Sequence, residues 1–256
     1  MKYVCFIAIP RTGTNHLGRV VSGFKNIRSQ YELFHKQAVY TLDKSEVEGV
    51  APALGGGFEK FDDPAFVETV RAAPGRFLDA LAAHHDGRYD ALAFKVFPKH
   101  LDDAALKEDV LARPDVSVVI VRRRLLASYL SLRKAEEVKK YIDVDTTNLQ
   151  VELKVRGYLD WRAEVLDWYS RVDAVLADLG KRPERLDYER EINTDPHTLA
   201  GVLVEKFARL GIETTRDHGE PPALEKQDKS KSLEDGVSNW SEFAATLAAE
   251  GVPLDD

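Results

Sequence analysis

Residues 3–23 read YVCFIAIPRTGTNHLGRVVSG, and the reading of this stretch decides the fold. The apolar run 3–9 stops at Pro10, Arg11-Thr12-Gly13-Thr14-Asn15 follows, and Leu17, Val20, Val21 and Phe24 then recur at helical spacing. An apolar run, a break and a 3.6-residue period predict a buried strand, a tight loop and an amphipathic helix. The loop gathers backbone N–H groups, two hydroxyls, an amide and a guanidinium at a helix N-terminus. Orphan donors and the helix dipole both favour an anion there. The loop does not fit GxxxxGK[ST], and no Lys follows Gly13, which counts against an ordinary ATP or GTP hydrolase. Strand–turn–helix units with Thr and Gly also occur without ligands, so this segment alone leaves a plain turn open.

Apolar runs and helical periods go on alternating along the chain, the pattern of a parallel sheet with crossover helices. Further strands are expected at 91–97 and 116–121, with weaker ones at 27–29 and 185–188. The run VSVVIV at 116–121 suits a strand covered on both faces. Residues 155–179 carry Tyr158, Leu159, Val165, Leu166, Tyr169, Val172, Leu176 and Leu179, which predicts a long amphipathic helix. A shorter helix is expected at 198–210, with Gly211 placed to stop it. Residues 49–60, GVAPALGGGFEK, read as a mobile loop. His84-His85 and the pair Trp161 and Trp168 read as helix surface and core.

At 256 residues the chain suits one large domain better than two small ones. Its 44% apolar content is enough for a sizeable core, and its net charge of −7 argues against a general nucleic-acid partner. One Cys excludes an internal disulfide framework and a cysteine-based metal site. The first apolar run is too short for a leader, and no window approaches the ~18 apolar residues of a membrane span. These features point to a soluble protein of a reducing compartment, most simply the cytoplasm.

A second basic constellation follows the strand at 116–121: Arg122-Arg123-Arg124, with Ser128 and Ser131 about one and two turns into the next helix. Ligands of α/β sheets bind at the carboxyl ends of strands. A guanidinium and a hydroxyl converging there could hold a phosphate, with the Arg fork bidentate. A solvated basic helix start, or an Arg paired with an acidic neighbour, is the alternative. Together, two such sites at strand ends imply a ligand with two separated phosphates.

With both sites in place, IPRTGTNHL resembles the 5′-phosphosulfate loop of sulfotransferases that use 3′-phosphoadenosine 5′-phosphosulfate (PAPS). VVIVRRRLLASYLSL resembles their 3′-phosphate motif, a strand-end Arg followed by a helix Ser. LDYEREINTDPHTLAGVLVEKFARLGI resembles their Tyr-Glu-Asp-Leu, Asp-Pro and Phe-Leu-Gly segment. LEKQDKSKSLEDGVSNWSEFAATL resembles the basic loop and helix that close over the nucleotide. Ser29-Gln30-Tyr31-Glu32-Leu33-Phe34-His35 is similar to the bacterial trehalose- and lipopolysaccharide-type branch, which has a Glu shortly after the second strand.

The resemblance implies a single P-loop-like α/β domain over 1–256, with a central parallel sheet of about five strands flanked by helices. Residues 216–247 would form its nucleotide-closing segment. It implies transfer of a sulfuryl group from PAPS to a hydroxyl acceptor, a saccharide or glycolipid, without a metal and leaving adenosine 3′,5′-bisphosphate. Arg11, Thr12, Gly13, Thr14 and Asn15 would take the 5′-phosphate, although position 11 holds Arg where the animal cytosolic enzymes have Lys. Arg123 and Ser131, at the family's eight-residue step, would take the 3′-phosphate, with Arg122 as a helper favoured by its strand-end place. Lys226, Lys229 and Lys231 resemble the basic loop that reaches the same phosphate, or form a solvated tail. Tyr188 resembles the adenine-contacting Tyr, or is a core aromatic.

Catalytic candidates are Arg11 and Lys95 for the developing charge, the latter also readable as an ordinary strand-end Lys. Glu32 is the first choice of base, with His35 and His100 as rivals. A carboxylate with a pKa of about 4.3 is a weak base, so burial would have to raise it. An imidazole titrates nearer neutrality. Segments 36–60 and 136–150 are expected to wall the acceptor pocket. The competing readings are a P-loop nucleotide kinase-like transferase, dependent on ATP and Mg²⁺, and a catalytically silent nucleotide-binding module.

Overall fold

The computed structural model describes residues 1–140, 144–216 and 232–254. Strands β1 (Lys2–Ile7), β2 (Ile27–Ser29), β3 (Ala91–Val96), β4 (Val116–Arg122) and β5 (Glu184–Asp187) form one parallel sheet in the order β2-β3-β1-β4-β5. Central β1 pairs with β3 from Lys2↔Ala91 to Ile7↔Val96, and with β4 from Tyr3↔Val116 to Ile7↔Ile120. The helices are α1 (Thr14–Val21), α2 (Lys44–Leu54), α3 (Pro64–Ala72), α4 (Pro74–His84), α5 (Asp103–Ala105, running into the π-helical Leu106–Leu111), α6 (Leu125–Val138), α7 (Val155–Asp178), α8 (Pro196–Arg209) and α9 (Trp240–Ala249). No helix among the described residues is long and apolar enough to cross a membrane.

The first apolar run is continuous because β1 is covered on both faces. Tyr3, Cys5 and Ile7 join the core built with α2, α3, α4, α6, α7 and α9, while Val4, Phe6 and Ala8 join a second core with α1 and α8. Parallel strands in register end on a common edge. The loop after β1, the segment after β2, the end of β3, the arginines after β4 and Tyr188 after β5 therefore share that edge, where α/β sheets bind ligands.

All five expected strands form, and Gly211 (φ 70) ends α8 as expected, with the Ile212 N–H donating to the Phe207 carbonyl at 2.8 Å. The loop expected at 49–60 is corrected: residues 49–54 belong to α2. Asp43 and Glu46 make a reciprocal capping box there (Glu46 N–H to Asp43 2.9 Å, Asp43 N–H to Glu46 2.8 Å), and Gly55 at φ 82 ends the helix. Burial of Val47, Val50, Ala51 and Leu54 outweighs the weak helix propensity of Gly49 and Pro52.

Near the C-terminus, Val151 pairs with Val237. The Val151 N–H donates to the Gly236 carbonyl and the Ser238 N–H to the Val151 carbonyl, both at 3.0 Å. The Asn239 amide accepts from the Leu153 N–H and donates to the Leu153 carbonyl, each at 3.0 Å. These bonds seat α9, whose Phe243 and Leu247 are buried, beside Tyr158 of α7.

Candidate functional site

The loop after β1 turns through two left-handed residues, Arg11 (φ 72) and Gly13 (φ 77). A Cβ at Gly13 would lie 2.7 Å from the Tyr188 ring and 2.9 Å from Ile192, so only glycine fits. Arg11 holds the same conformation with a side chain, a local strain of roughly 1–3 kcal/mol of the kind found at binding sites. The Thr12 hydroxyl is fully buried and donates to the Ile9 carbonyl at 2.8 Å, fastening the loop to the strand rather than facing a ligand. Thr14 and Asn15 open α1 and turn toward β3.

There they meet Lys95, one residue before the end of β3 and almost fully buried. Its ammonium donates to Asn15 Oδ1 at 2.8 Å and to Thr14 Oγ1 at 3.4 Å, and lies 3.1 Å from Glu32 Oε1. It also sits 5.1 Å from the ring centroids of Tyr31 and Phe97. Burial pulls the Lys95 pKa below its usual value, and the attraction of Glu32 offsets this only in part.

Glu32 follows β2 and is joined by His100 (Nε2 to Oε2, 3.6 Å). Burial pushes its carboxyl up, but the close approach of His100 and the charge of Lys95 outweigh this and hold it at about 2. The raised pKa that a carboxylate base would need is therefore not met while Lys95 and His100 hold Glu32. His100 Nδ1 accepts the Phe97 N–H at 3.3 Å and His35 Nδ1 accepts the Gln37 N–H at 3.2 Å. In the neutral rings each Nε2 therefore carries the hydrogen and cannot accept a proton there. The two imidazoles meet edge to face, with centroids 5.6 Å apart.

On the other side of β1, Arg123 Nη1 donates to the Arg11 carbonyl at 2.6 Å, and the guanidinium lies 4.1 Å from the Tyr188 ring centroid. Ser131 Oγ accepts Arg11 Nε at 3.0 Å, so both partners of the eight-residue step reach the loop. Ser128 is fully buried and its Oγ has no partner among the described residues. Arg122 is not brought to this cluster. It pairs with Asp173 of α7 at 3.2 Å and lies 3.9 Å from the Tyr169 ring centroid, because adjacent positions at a strand end point to opposite faces. Tyr188 packs against Gly13 and under Arg123, so its position braces the loop and the arginine together.

No protein-family model matches this chain, and no curated protein matches it. Lys226, Lys229 and Lys231 lie outside the described residues. Among the described residues no group of three or more His, Cys, Asp or Glu side chains is placed to hold a metal ion. A groove of about 630 Å³ runs beside the segments that follow His35 and His100, lined by Lys36, Gln37, Val67, Arg71, Leu101 and Asp102 among others. Arg71 Nε donates to the His100 carbonyl at 3.0 Å. Of the expected acceptor walls, Lys36 and Gln37 line this groove, α3 supplies much of the rest, and none of its named lining residues comes from the described part of 136–150.

A second buried carboxylate escaped the sequence reading. Glu46 of α2 is 1% exposed and receives Arg28 Nε and Nη2 (both 2.9 Å), Gln30 Nε2 (2.7 Å) and His85 Nε2 (2.8 Å). His85 is thus buried, not surface. The capping-box spacing Asp43–Glu46 was the one local signal for Glu46; its other partners are Arg28 of β2, Gln30 just after it and His85 at the end of α4.

Proposed function

We propose that this protein is a sulfotransferase that moves the sulfuryl group of PAPS to a hydroxyl acceptor. The observation that carries the reading is Lys95: one ammonium touches the anion loop through Thr14 and Asn15 and the carboxylate of Glu32 at once. Donor and acceptor chemistry would meet at that cation. The resemblance of the four motifs, in order along the chain, adds to it. A second basic site at Arg123, held against the carbonyl of Arg11, suits a nucleotide with phosphates at both ends of its ribose.

In this reading the acceptor oxygen attacks sulfur in line, the new O–S bond forms as the bridging S–O bond breaks, and adenosine 3′,5′-bisphosphate leaves. Lys95 and Arg11 stabilise the charge that grows on the phosphate oxygen, the largest electrostatic demand of such a transfer. Glu32 takes the acceptor proton; the Nδ1 contacts of His35 and His100 with backbone N–H groups favour it over the imidazoles. Resting Glu32 is a weak base because Lys95 and His100 hold it. As the ammonium turns its charge to the departing phosphate, the carboxylate becomes more basic.

A saccharide or glycolipid acceptor follows from the branch resemblance. It is supported by a groove that offers polar forks and apolar surface together beside His35 and His100. Calorimetry with adenosine 3′,5′-bisphosphate, ATP with Mg²⁺ and 5′-AMP tests the reading. The expected result is preference for the bisphosphate, weakened by about 2 kcal/mol in Arg123→Ala, the loss of a charged hydrogen bond. Preference for ATP would sink it in favour of a kinase, and binding of none would leave a scaffold.

A further inference from the structure

Resting on that reading, we infer that Glu189 occupies the anion position at the second basic site and must yield it when a 3′-phosphate arrives. Glu189 follows β5 directly after Tyr188, and its side chain is 27% exposed. Its carboxylate oxygens accept the backbone N–H of Arg124, the N-cap of α6, at 3.3 and 3.4 Å. The same carboxylate lies 3.5 Å from Arg124 Nε and 3.9 Å from Arg123 Nε. It is therefore surrounded by two guanidinium groups and the amino end of a 14-residue helix.

Those are the elements that bind phosphate at a helix start. The first turn of α6 has no acidic residue of its own and no side-chain cap, so the negative charge it favours comes from across the sheet edge. Glu189 is brought there by its neighbour. Tyr188 is clamped between Gly13 and the Arg123 guanidinium, and this leaves the next side chain facing the helix end.

The consequence is competition. A nucleotide phosphorylated only at its 5′ end can use the Arg11–Asn15 loop and leave Glu189 in place. One that also carries a 3′-phosphate brings about two negative charges to a locus already holding one. It displaces the carboxylate and gives up part of its binding energy in doing so. Glu189 would thus weaken binding of donor and spent bisphosphate alike, since both carry the 3′-phosphate, and speed the departure of the product, a turnover role rather than a chemical one.

Calorimetry on Glu189→Gln and Glu189→Ala decides this, with adenosine 3′,5′-bisphosphate and 5′-AMP as probes. Gln keeps an oxygen that can accept the Arg124 N–H, so the fold is undisturbed, while Ala empties the position. Both variants are expected to bind the bisphosphate roughly five- to tenfold tighter, the combined effect of a helix-terminus carboxylate and part-exposed ion pairs. Affinity for 5′-AMP should stay within about twofold. Bisphosphate binding that is unchanged or weaker in both variants overturns the inference, because a carboxylate that merely positions Arg123 would weaken binding when removed. If the bisphosphate binds none of the three proteins while 5′-AMP or ATP does, the sulfotransferase reading itself has failed and this inference falls with it.

Discussion

Glu32 and Glu46 are both part-closed or closed to solvent, both touch a histidine and a basic side chain, and both are held at about 2 despite burial. The difference lies in how their remaining contacts are filled. Glu46 has Arg28, Gln30, His85 and the Asp43 N–H within 2.9 Å, and only 1% of its side chain is exposed. Glu32 has Lys95 at 3.1 Å and His100 at a loose 3.6 Å, with 22% of its side chain exposed. One carboxylate is saturated and serves the scaffold; the other keeps room for a further partner. They are also connected. Gln30, which donates to Glu46, accepts the Thr41 hydroxyl at 2.8 Å, and that hydroxyl accepts the Tyr31 N–H at 2.9 Å. The closed cluster thereby fixes the chain one residue before the open one.

The sharpest way to break this contrast is substitution at the saturated site. Glu46→Ala strands Arg28 and His85 against the core and should cost about 3–5 kcal/mol of folding stability, read as a lower urea midpoint. Glu32→Gln leaves the buried ammonium of Lys95 without its carboxylate but keeps its contacts with Asn15, Thr14 and two ring faces, so a smaller loss of about 1–3 kcal/mol is expected. In a sulfuryl-transfer assay the same variant should lose about a hundredfold in kcat, the lower end of the effect of a general base, while the bisphosphate binds at least as tightly because the neutral side chain no longer draws on Lys95. Equal stability losses at the two positions, or full turnover in Glu32→Gln, would erase the distinction.

Acid titration gives the smallest effect. Both carboxyl pKa values are lowered on folding, from 4.5 to about 2, so their stabilisation is fully present above about 4.5 and is lost as pH falls toward 2. Glu46→Gln should flatten the fall in stability through that window more than Glu32→Gln does, because the solvent around Glu32 screens its contacts. Denaturant midpoints measured from pH 6 to pH 2.5 would show the order.

The strands were legible because a strand buried on both faces needs an unbroken apolar run, and Val116–Arg122 and Lys2–Ile7 have one. The turn after β1 was legible because an apolar run, a break and a helical period follow one another, and the eight-residue step from Arg123 to Ser131 proved to bring both to Arg11. Helix α2 is masked in the sequence because Gly49, Pro52 and Gly55 suggest a loop, although Asp43 three residues before Glu46 has the spacing of a capping box. The choice between Arg122 and Arg123 rests on which face of the sheet each side chain meets. That depends on where α7 packs, with Asp173 and Tyr169 waiting for Arg122. The pull of Lys95 and His100 on Glu32 was likewise out of reach, because those residues stand 63 and 68 positions away in the chain and meet Glu32 only through the sheet edge.

Because Lys95 is shared between the Arg11–Asn15 loop and Glu32, the binding of an anion at the loop would be coupled to the titration of Glu32. An anion held by the loop draws the ammonium's field toward itself and adds its own repulsion, so the affinity of Glu32 for a proton must rise. By thermodynamic reciprocity, a proton on Glu32 must tighten the loop's hold on the anion by the same factor. Anion binding at mildly acid pH therefore carries a net uptake of protons. The heat of binding measured in two buffers of different ionisation enthalpy would register it as a difference in slope, and the difference should vanish in Glu32→Gln.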